Sequence, residues 1–186
     1  MSEKIITESI EKHSDVLKSI DKNSILNASE AIIKTIRNGK KTFWCGNGGS
    51  ASQANHLSAE LVGGMYQKKI KPFQSICLNV DTAFITAWSN DDSFDNIFVR
   101  QLEALGNNDD VVMLLSTSGN SQNIINAIKY AKSKGMKFIS LTGNYGGKAK
   151  KLGGININVN TDDTQRIQEM HILIGHIICD LVEKSL

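Results

Sequence analysis

Cysteine is scarce in this chain of 186 residues: Cys45, Cys77 and Cys179 are the only three. They are odd in number and far apart, and no two form a C-x-x-C pair. This argues against a disulfide framework and fits buried thiols in a reducing compartment. Proline occurs once, at Pro72, in a loop ahead of the second expected strand. The sequence has no internal repeat, low-complexity segment or long linker. No apolar run approaches the length of a membrane span. The opening segment MSEKIITESIEKHSD is polar and amphipathic and lacks the apolar core of a signal peptide. Neither sign of charge dominates, with 21 Lys and Arg against 19 Asp and Glu and a net charge of +2. That balance argues against nucleic-acid binding driven by bulk charge. The longest basic cluster, Lys68-Lys69 with Lys71, reads as a solvated loop. The expectation is a cytoplasmic protein with neither nucleic acid nor membrane as partner.

What is present is ordinary for a globular domain: 40% hydrophobic and 22% charged residues, at a length that one domain can fill. Residues 3–20 place Ile5, Ile6, Ile10, Val16, Leu17 and Ile20 roughly on one helical face. A second helix, capped by Asn23 or Ser24, runs to about Arg37 and closes at Asn38-Gly39. These two helices precede any strand, so they pack on the domain or on another subunit. From Lys41 the pattern alternates. Strands are expected near 42–45, 75–78, 111–115, 137–141 and 155–159. Helices are expected near 50–65, 82–89, 94–105, 121–134, 147–152 and 163–183. Alternation of this kind gives right-handed crossovers and a parallel sheet covered on both faces. Ligands of such sheets bind at the carboxyl ends of the strands.

Two Gly/Ser turns fall at such ends. CGNGGSAS, Cys45 to Ser52, follows Phe43-Trp44, and STSGNS, Ser116 to Ser121, follows VVMLL. Each leads into a helix, whose first N–H groups and partial positive charge suit an anion. The first turn contains G-x-G-x-x-A, a weak match to the dinucleotide fingerprint. That fingerprint needs an acidic residue roughly 20 residues on, and Asp81 lies too far along. The second turn is more specific. Ser116, Thr117, Ser118 and Ser121 supply four hydroxyls, more than a helix cap by Ser118 or Asn120 needs, and the reading favours phosphate. GNYGGK, Gly143 to Lys148, is one residue short of a Walker loop and lacks the following Ser or Thr, which argues against an NTPase.

His56 and Glu60 stand i,i+4 on the helix after the first turn and share a face. The last helix carries Gln168, Glu169, His171 and His176. Gln168 and His176 lie roughly 80° apart at about 100° per residue and can line one side of a cleft. His-Glu with Gln-His offers N and O donors for a divalent metal such as zinc, and equally an acid and a base. His13 and His171 read as structural, as do Trp44 and Trp88 in the core. Asn90-Asp91-Asp92 reads either as a ligand site or, more simply, as the cap before Phe94.

Together these segments resemble the sugar isomerase (SIS) domain family, in its phosphoheptose isomerase branch. The matching runs are CGNGGSASQANHLSAEL, the Asn-Asp at Asn90, STSGNSQNIINAI, SLTGNYGGK and RIQEMHILIGHIICDLVE. The resemblance covers nearly the whole chain, and the order and spacing of all five carry it. It implies an α/β fold: a three-layer α/β/α sandwich with a five-stranded parallel sheet, flavodoxin-like, preceded by N-terminal helices. Residues 1–186 are then one SIS domain, with 1–38 as helices used in oligomerisation. It implies a homotetramer with sites between subunits, one zinc ion per subunit and a phosphorylated heptose as substrate. The implied reaction converts D-sedoheptulose 7-phosphate to D-glycero-D-manno-heptose 7-phosphate for bacterial surface heptose biosynthesis. By the same resemblance Asn47, Gly48, Gly49 and Ser50 bind substrate, as do Asn90 and Asp91. Ser116, Thr117, Ser118 and Ser121 form the phosphate pocket. His56, Glu60, Gln168 and His176 are the metal ligands. Glu60 and Gln168 also touch substrate, and Glu60 and His176 are base and acid. The chain departs from the family at Gly64, where a basic residue is common, and at Gln165, where an acidic or small one is; both bear on the choice of substrate. The alternatives are a non-catalytic SIS tetramer that binds the replication initiator protein, a sugar-phosphate-sensing domain, and an isomerase of another phosphosugar. The full set His56, Glu60, Gln168 and His176 favours an enzyme over a scaffold, which does not need it.

Overall fold

The structure is a computed structural model and describes residues 1–66 and 71–186. The basic pair Lys68-Lys69 lies outside the described residues. Five strands form one parallel sheet: β1 (Thr42–Gly46), β2 (Ser75–Cys77), β3 (Val111–Ser116), β4 (Lys137–Thr142) and β5 (Ile155–Asn158). Their order is β2-β1-β3-β4-β5. Eight α-helices accompany them among the described residues: α1 (Ser2–Lys18), α2 (Lys22–Arg37), α3 (Gly49–Gly63), α4 (Thr82–Asp91), α5 (Ile97–Leu105), α6 (Gln122–Ser133), α7 (Gly147–Lys151) and α8 (Thr164–Ser185). A single 3₁₀ turn, Phe94–Asn96, leads into α5.

Both faces of the sheet are covered, and the pleat decides which side chain meets which layer. Trp44, Val111, Met113, Leu115, Ile139 and Leu141 face one layer, with Ile25 and Ile32 of α2, Leu57 and Leu61 of α3, and Ile174 and Ile178 of α8. Phe43, Val112, Leu114 and Phe138 face the other, with Phe98 and Leu102 of α5 and Ile124 and Ile128 of α6. A strand buried on both faces must be apolar at every position, which explains the uninterrupted VVMLL of β3. Each fully buried large side chain contributes ~1.5–3 kcal/mol by leaving water, so the two layers supply most of the driving force for this arrangement.

The strand order reverses direction between β1 and β3. From β1 the chain crosses to β2 on one side, and from β3 it crosses to β4 on the other. The helices that follow β1 and β3 therefore leave on opposite faces of the sheet and open a crevice at the carboxyl ends of these neighbouring strands. Both Gly/Ser turns lie at this crevice.

Some local details differ from the sequence reading. Asp21, and neither Asn23 nor Ser24, caps α2, its carboxylate accepting from Asn23 N at 2.9 Å. Ser93 caps the 3₁₀ turn, accepting from Asp95 N at 3.1 Å, while Asn90 and Asp91 form the last turn of α4. Trp44 is fully buried, but Trp88 is only half-buried, stacked on Phe84 with the Arg100 guanidinium 5.0 Å from its ring centroid. The apolar face of α1 is not covered by the described residues: Ile5, Ile6 and Ile10 are 58%, 60% and 61% exposed. Polar contacts tie α1 to α8 instead. His13 Nδ1 lies 2.7 Å from Glu169 Oε2, and Arg166 donates to Ser9 O at 2.6 Å.

Candidate active site at the β1–β3 crevice

The first turn leaves β1 at Gly46 and enters α3 through Gly48 and Gly49. Ser50 lies buried in the first turn of that helix. A Cβ on Gly49 would stand 2.8 Å from Gln168 Nε2, so the glycine lets the start of α3 lie against that amide in place, and a larger residue would push the amide aside. Gln53, one turn on, donates to Gln168 O at 2.7 Å. Further along, α3 and α8 approach closely because residue 175 is glycine: a Cβ there would meet Leu57 Cδ1 at 2.2 Å.

This close approach brings three metal-competent side chains together. His56 and Glu60 stand one turn apart on α3, and His176 faces them from α8. The two Nε2 atoms of His56 and His176 are 2.8 Å apart, and His56 Nε2 is 3.4 Å from Glu60 Oε1. One ligand atom from each of the three lies within 4.8 Å of the others. The imidazoles meet edge to face, with an interplanar angle of 81°. Two neutral imidazoles can share one proton across such a gap; equally, their lone pairs can converge on a cation. Gln168 lies two turns before His176 on α8, with its amide at the start of α3.

The three cysteines are buried and unbridged. Burial pushes the Cys45 thiol far up, and the neighbouring Cys77 adds to this. Burial likewise raises Cys77. Cys179 is pushed up to about 12, first by burial and then by the Glu60 and Glu183 carboxylates. All three stay protonated at neutral pH and are poor nucleophiles. His171 is fully buried on α8, and burial lowers its pKa to about 4.

The second turn is built as a crown at the start of α6. Ser116 Oγ accepts from Gly119 N at 3.2 Å, and Ser118 Oγ accepts from Asn120 N at 3.1 Å. Among the described residues both hydroxyl protons stay free for another acceptor. Asn120 does not cap α6. Its Oδ1 accepts from Lys148 N at 3.0 Å, and Ser121 occupies the cap position without a side-chain hydrogen bond. The loop after β4 backs the crown, with Gly143 N donating to Thr117 O at 2.9 Å. A cavity of about 370 Å³ beside it is lined by Thr117, Ser118, Asn120, Asn144 and Tyr145 with the start of α8.

Asn90 and Asp91 make no hydrogen bond to these groups among the described residues. Both are exposed at the end of α4, and Asn90 Nδ2 donates to Asp91 Oδ1 at 2.8 Å. Sequence reasoning passed over Asn79 and Asn123. Asn79 brackets the Gly46 peptide, accepting from its N at 3.1 Å and donating to its O at 2.9 Å. Asn123 pairs with Asn47. The available signal was an amide residue beside each turn, one just past β2 and one on the buried face of α6.

Comparison with known proteins agrees with this geometry. The family model described as SIS domain matches residues 7–143. A phosphoheptose isomerase of Helicobacter pylori (strain P12) is 46% identical, covering 95% of this chain and 90% of its own. One of Sulfurimonas denitrificans is 45% identical, covering 98% and 96%. Among solved structures, a phosphoheptose isomerase from Francisella tularensis superposes with a TM-score of 0.95 at 34% identity, covering 99% of both chains. The chain belongs to the SIS domain family, where the phosphoheptose isomerases are its near relatives.

Proposed function

We propose that this chain is an aldose–ketose isomerase that converts D-sedoheptulose 7-phosphate to D-glycero-D-manno-heptose 7-phosphate, supplying heptose for bacterial surface glycans. The observation that carries the reading is the convergence of His56, Glu60 and His176 on the facing helices α3 and α8, of which α3 starts at an anion-suited turn. Near-full-length similarity to phosphoheptose isomerases supports it.

The donor set fits a divalent ion such as zinc. In a tetrahedral site with bonds of about 2.1 Å, ligand atoms lie roughly 3.4 Å apart. His56 Nε2 and Glu60 Oε1 already have that spacing, and the two imidazoles need to part by only about 0.6 Å. Gln168 is proposed as the fourth ligand. When bound, the ion would polarise the sugar carbonyl and stabilise developing negative charge on oxygen.

The hydroxyls of Ser116, Thr117, Ser118 and Ser121 anchor the phosphate, helped by the first N–H groups of α6. Fixing that remote group orients C1 and C2 against the catalytic side chains. The first turn, Asn47 to Ser50, holds the sugar, as do Gln168 and, at a site completed by another subunit, Asn90 and Asp91. Glu60 removes the proton from C1 of the ketose, and the electron pair moves to the C2 oxygen as an enediolate. His176 carries the oxygen proton. Return of a proton to C2 gives the aldose.

Residues 1–186 act as one domain in this proposal. The uncovered Ile5, Ile6 and Ile10 face of α1 packs against other copies in a homotetramer. The reduced, buried cysteines fit a cytoplasmic enzyme, and among the described residues no helix is long and apolar enough to cross a membrane. The test is direct: incubate the zinc-loaded chain with sedoheptulose 7-phosphate and follow the aldose by NMR, with and without a chelator. Product that disappears on chelation supports the reading. A folded, zinc-loaded chain that forms none would sink it.

A further inference from the structure

The side chain of Asn47 is held from behind by Asn123. Asn47 Nδ2 donates to Asn123 Oδ1 at 2.9 Å, and Asn123 Nδ2 donates back to Asn47 Oδ1 at 2.9 Å. An amide pair of this kind satisfies itself equally well with both groups flipped, so the pair alone does not say which end of Asn47 is oxygen. A third contact breaks the tie. The main-chain N–H of Ile124 donates to Asn123 Oδ1 at 2.9 Å. A peptide N–H can only donate, so the start of α6 fixes the oxygen of Asn123, and Asn123 then fixes the nitrogen of Asn47. Asn123 is only 2% exposed, so water does not compete for these bonds. Asn123 Oδ1 has both lone pairs taken and its amide keeps one further N–H, whereas Asn47 keeps one further N–H and one further lone pair. On half-buried Asn47 that N–H and that lone pair have no partner among the described residues and stay available to a ligand.

We propose that Asn123 is a positioning residue. It sets which way round the Asn47 amide meets the sugar phosphate, and it ties the first turn to the helix that begins behind the phosphate crown. This rests on the isomerase reading and adds to it a residue that touches no reacting atom.

Asn123→Asp tests the idea because aspartate keeps the shape and removes the amide donor. Its carboxylate still accepts from Ile124 N and Asn47 Nδ2. Its second oxygen then faces Asn47 Oδ1, acceptor against acceptor, and drives that amide from its place. A negative charge in the first turn of α6 is favourable to the helix, so the fold is kept. Protonation of the introduced carboxylate restores one donor and one acceptor, the pattern of the native amide. The variant is expected to lose tenfold or more in kcat/KM near pH 8, about the value of one hydrogen bond plus a repulsion. The deficit should shrink as pH falls toward about 5, while the variant stays folded across that range. Asn123→Ala should lose activity without the pH-dependent recovery. Wild-type kcat/KM in Asn123→Asp at every pH, or a deficit that does not change with pH, would overturn the role of Asn123. A wild-type chain with no isomerase activity would instead overturn the proposed function, and with it any part Asn123 plays in that reaction.

Discussion

Gly175 controls how closely α8 approaches α3, so Gly175→Ala separates two opposing effects of known size. Alanine in a helix interior is better than glycine by about 1 kcal/mol. Against this, the new methyl would stand 2.2 Å from Leu57 Cδ1 and 2.6 Å from Cδ2, where ordinary carbon contacts need ~3.5–4.0 Å. Leu57 is completely buried, so it can yield only against packed neighbours. Overpacking of this kind costs about 1–3 kcal/mol, so the net effect is a loss of about 1 kcal/mol, or ~2–4 °C in melting temperature for a chain of this size. The larger consequence is at the site. Relief requires the helices to part, and His176 is the next residue along α8. Zinc affinity, followed by competition with a chromogenic chelator, should therefore fall by tenfold or more, since about 1.4 kcal/mol of misplacement is a factor of ten. Leu57→Ala in the same chain makes room and should recover much of the zinc affinity. A single variant that melts higher than wild type and binds zinc as tightly would refute the argument, because helix propensity would then have acted unopposed.

Thr117→Val and Ser121→Ala remove hydroxyls that make no hydrogen bond inside the described chain. Each should lower kcat/KM about tenfold and leave melting temperature unchanged; calorimetric titration with phosphate checks the same point. His171 adds an acid sensitivity. Its folded pKa of about 4 lies below the ordinary 6.5 because burial disfavours the charged ring, with the Thr142 main chain pulling the other way. Between those values the unfolded chain binds the proton and the folded chain does not, so stability is held above about pH 6.5 and lost as pH falls through 4. That loss approaches roughly 3 kcal/mol, and His171→Gln should flatten urea midpoints over that window. Glu183 accepts from Met65 N at 2.6 Å and Tyr66 N at 3.1 Å. Glu183→Gln should cost about 1–3 kcal/mol in a urea melt, with little change in zinc affinity. Ile6→Glu and Ile10→Glu on the uncovered face of α1 should shift the chain to smaller species in sedimentation, since they place charge in a face proposed to be buried between copies.

The sheet was legible because strands buried on both sides leave continuous apolar runs, and VVMLL and KFISLT stand out from the helices between them. The two anion-suited turns were legible for the same reason, since each marks the end of such a run. Capping was read less well. Asp21, Asn23 and Ser24 all suit a helix start, and the sequence does not say where the backbone turns. The structure places that turn at Asp21. The amides of Asn79 and Asn123 escaped notice because their partners, Gly46 and Asn47, are remote in sequence and meet them only when the sheet closes. The apolar face of α1 was visible as a periodicity, but the described residues of the chain leave Ile5, Ile6 and Ile10 exposed. His56 with Glu60 was readable from helical spacing alone. Bringing His176 to them depends on the α3–α8 contact, which rests on the missing side chain of Gly175.

The most direct test of the account compares Glu60→Gln with wild type, both zinc-loaded and matched in melting temperature, on sedoheptulose 7-phosphate. The account predicts aldose from the wild type and a loss of about a thousandfold or more in the variant, whose amide cannot take the C1 proton. Turnover by Glu60→Gln near the wild-type rate would contradict it.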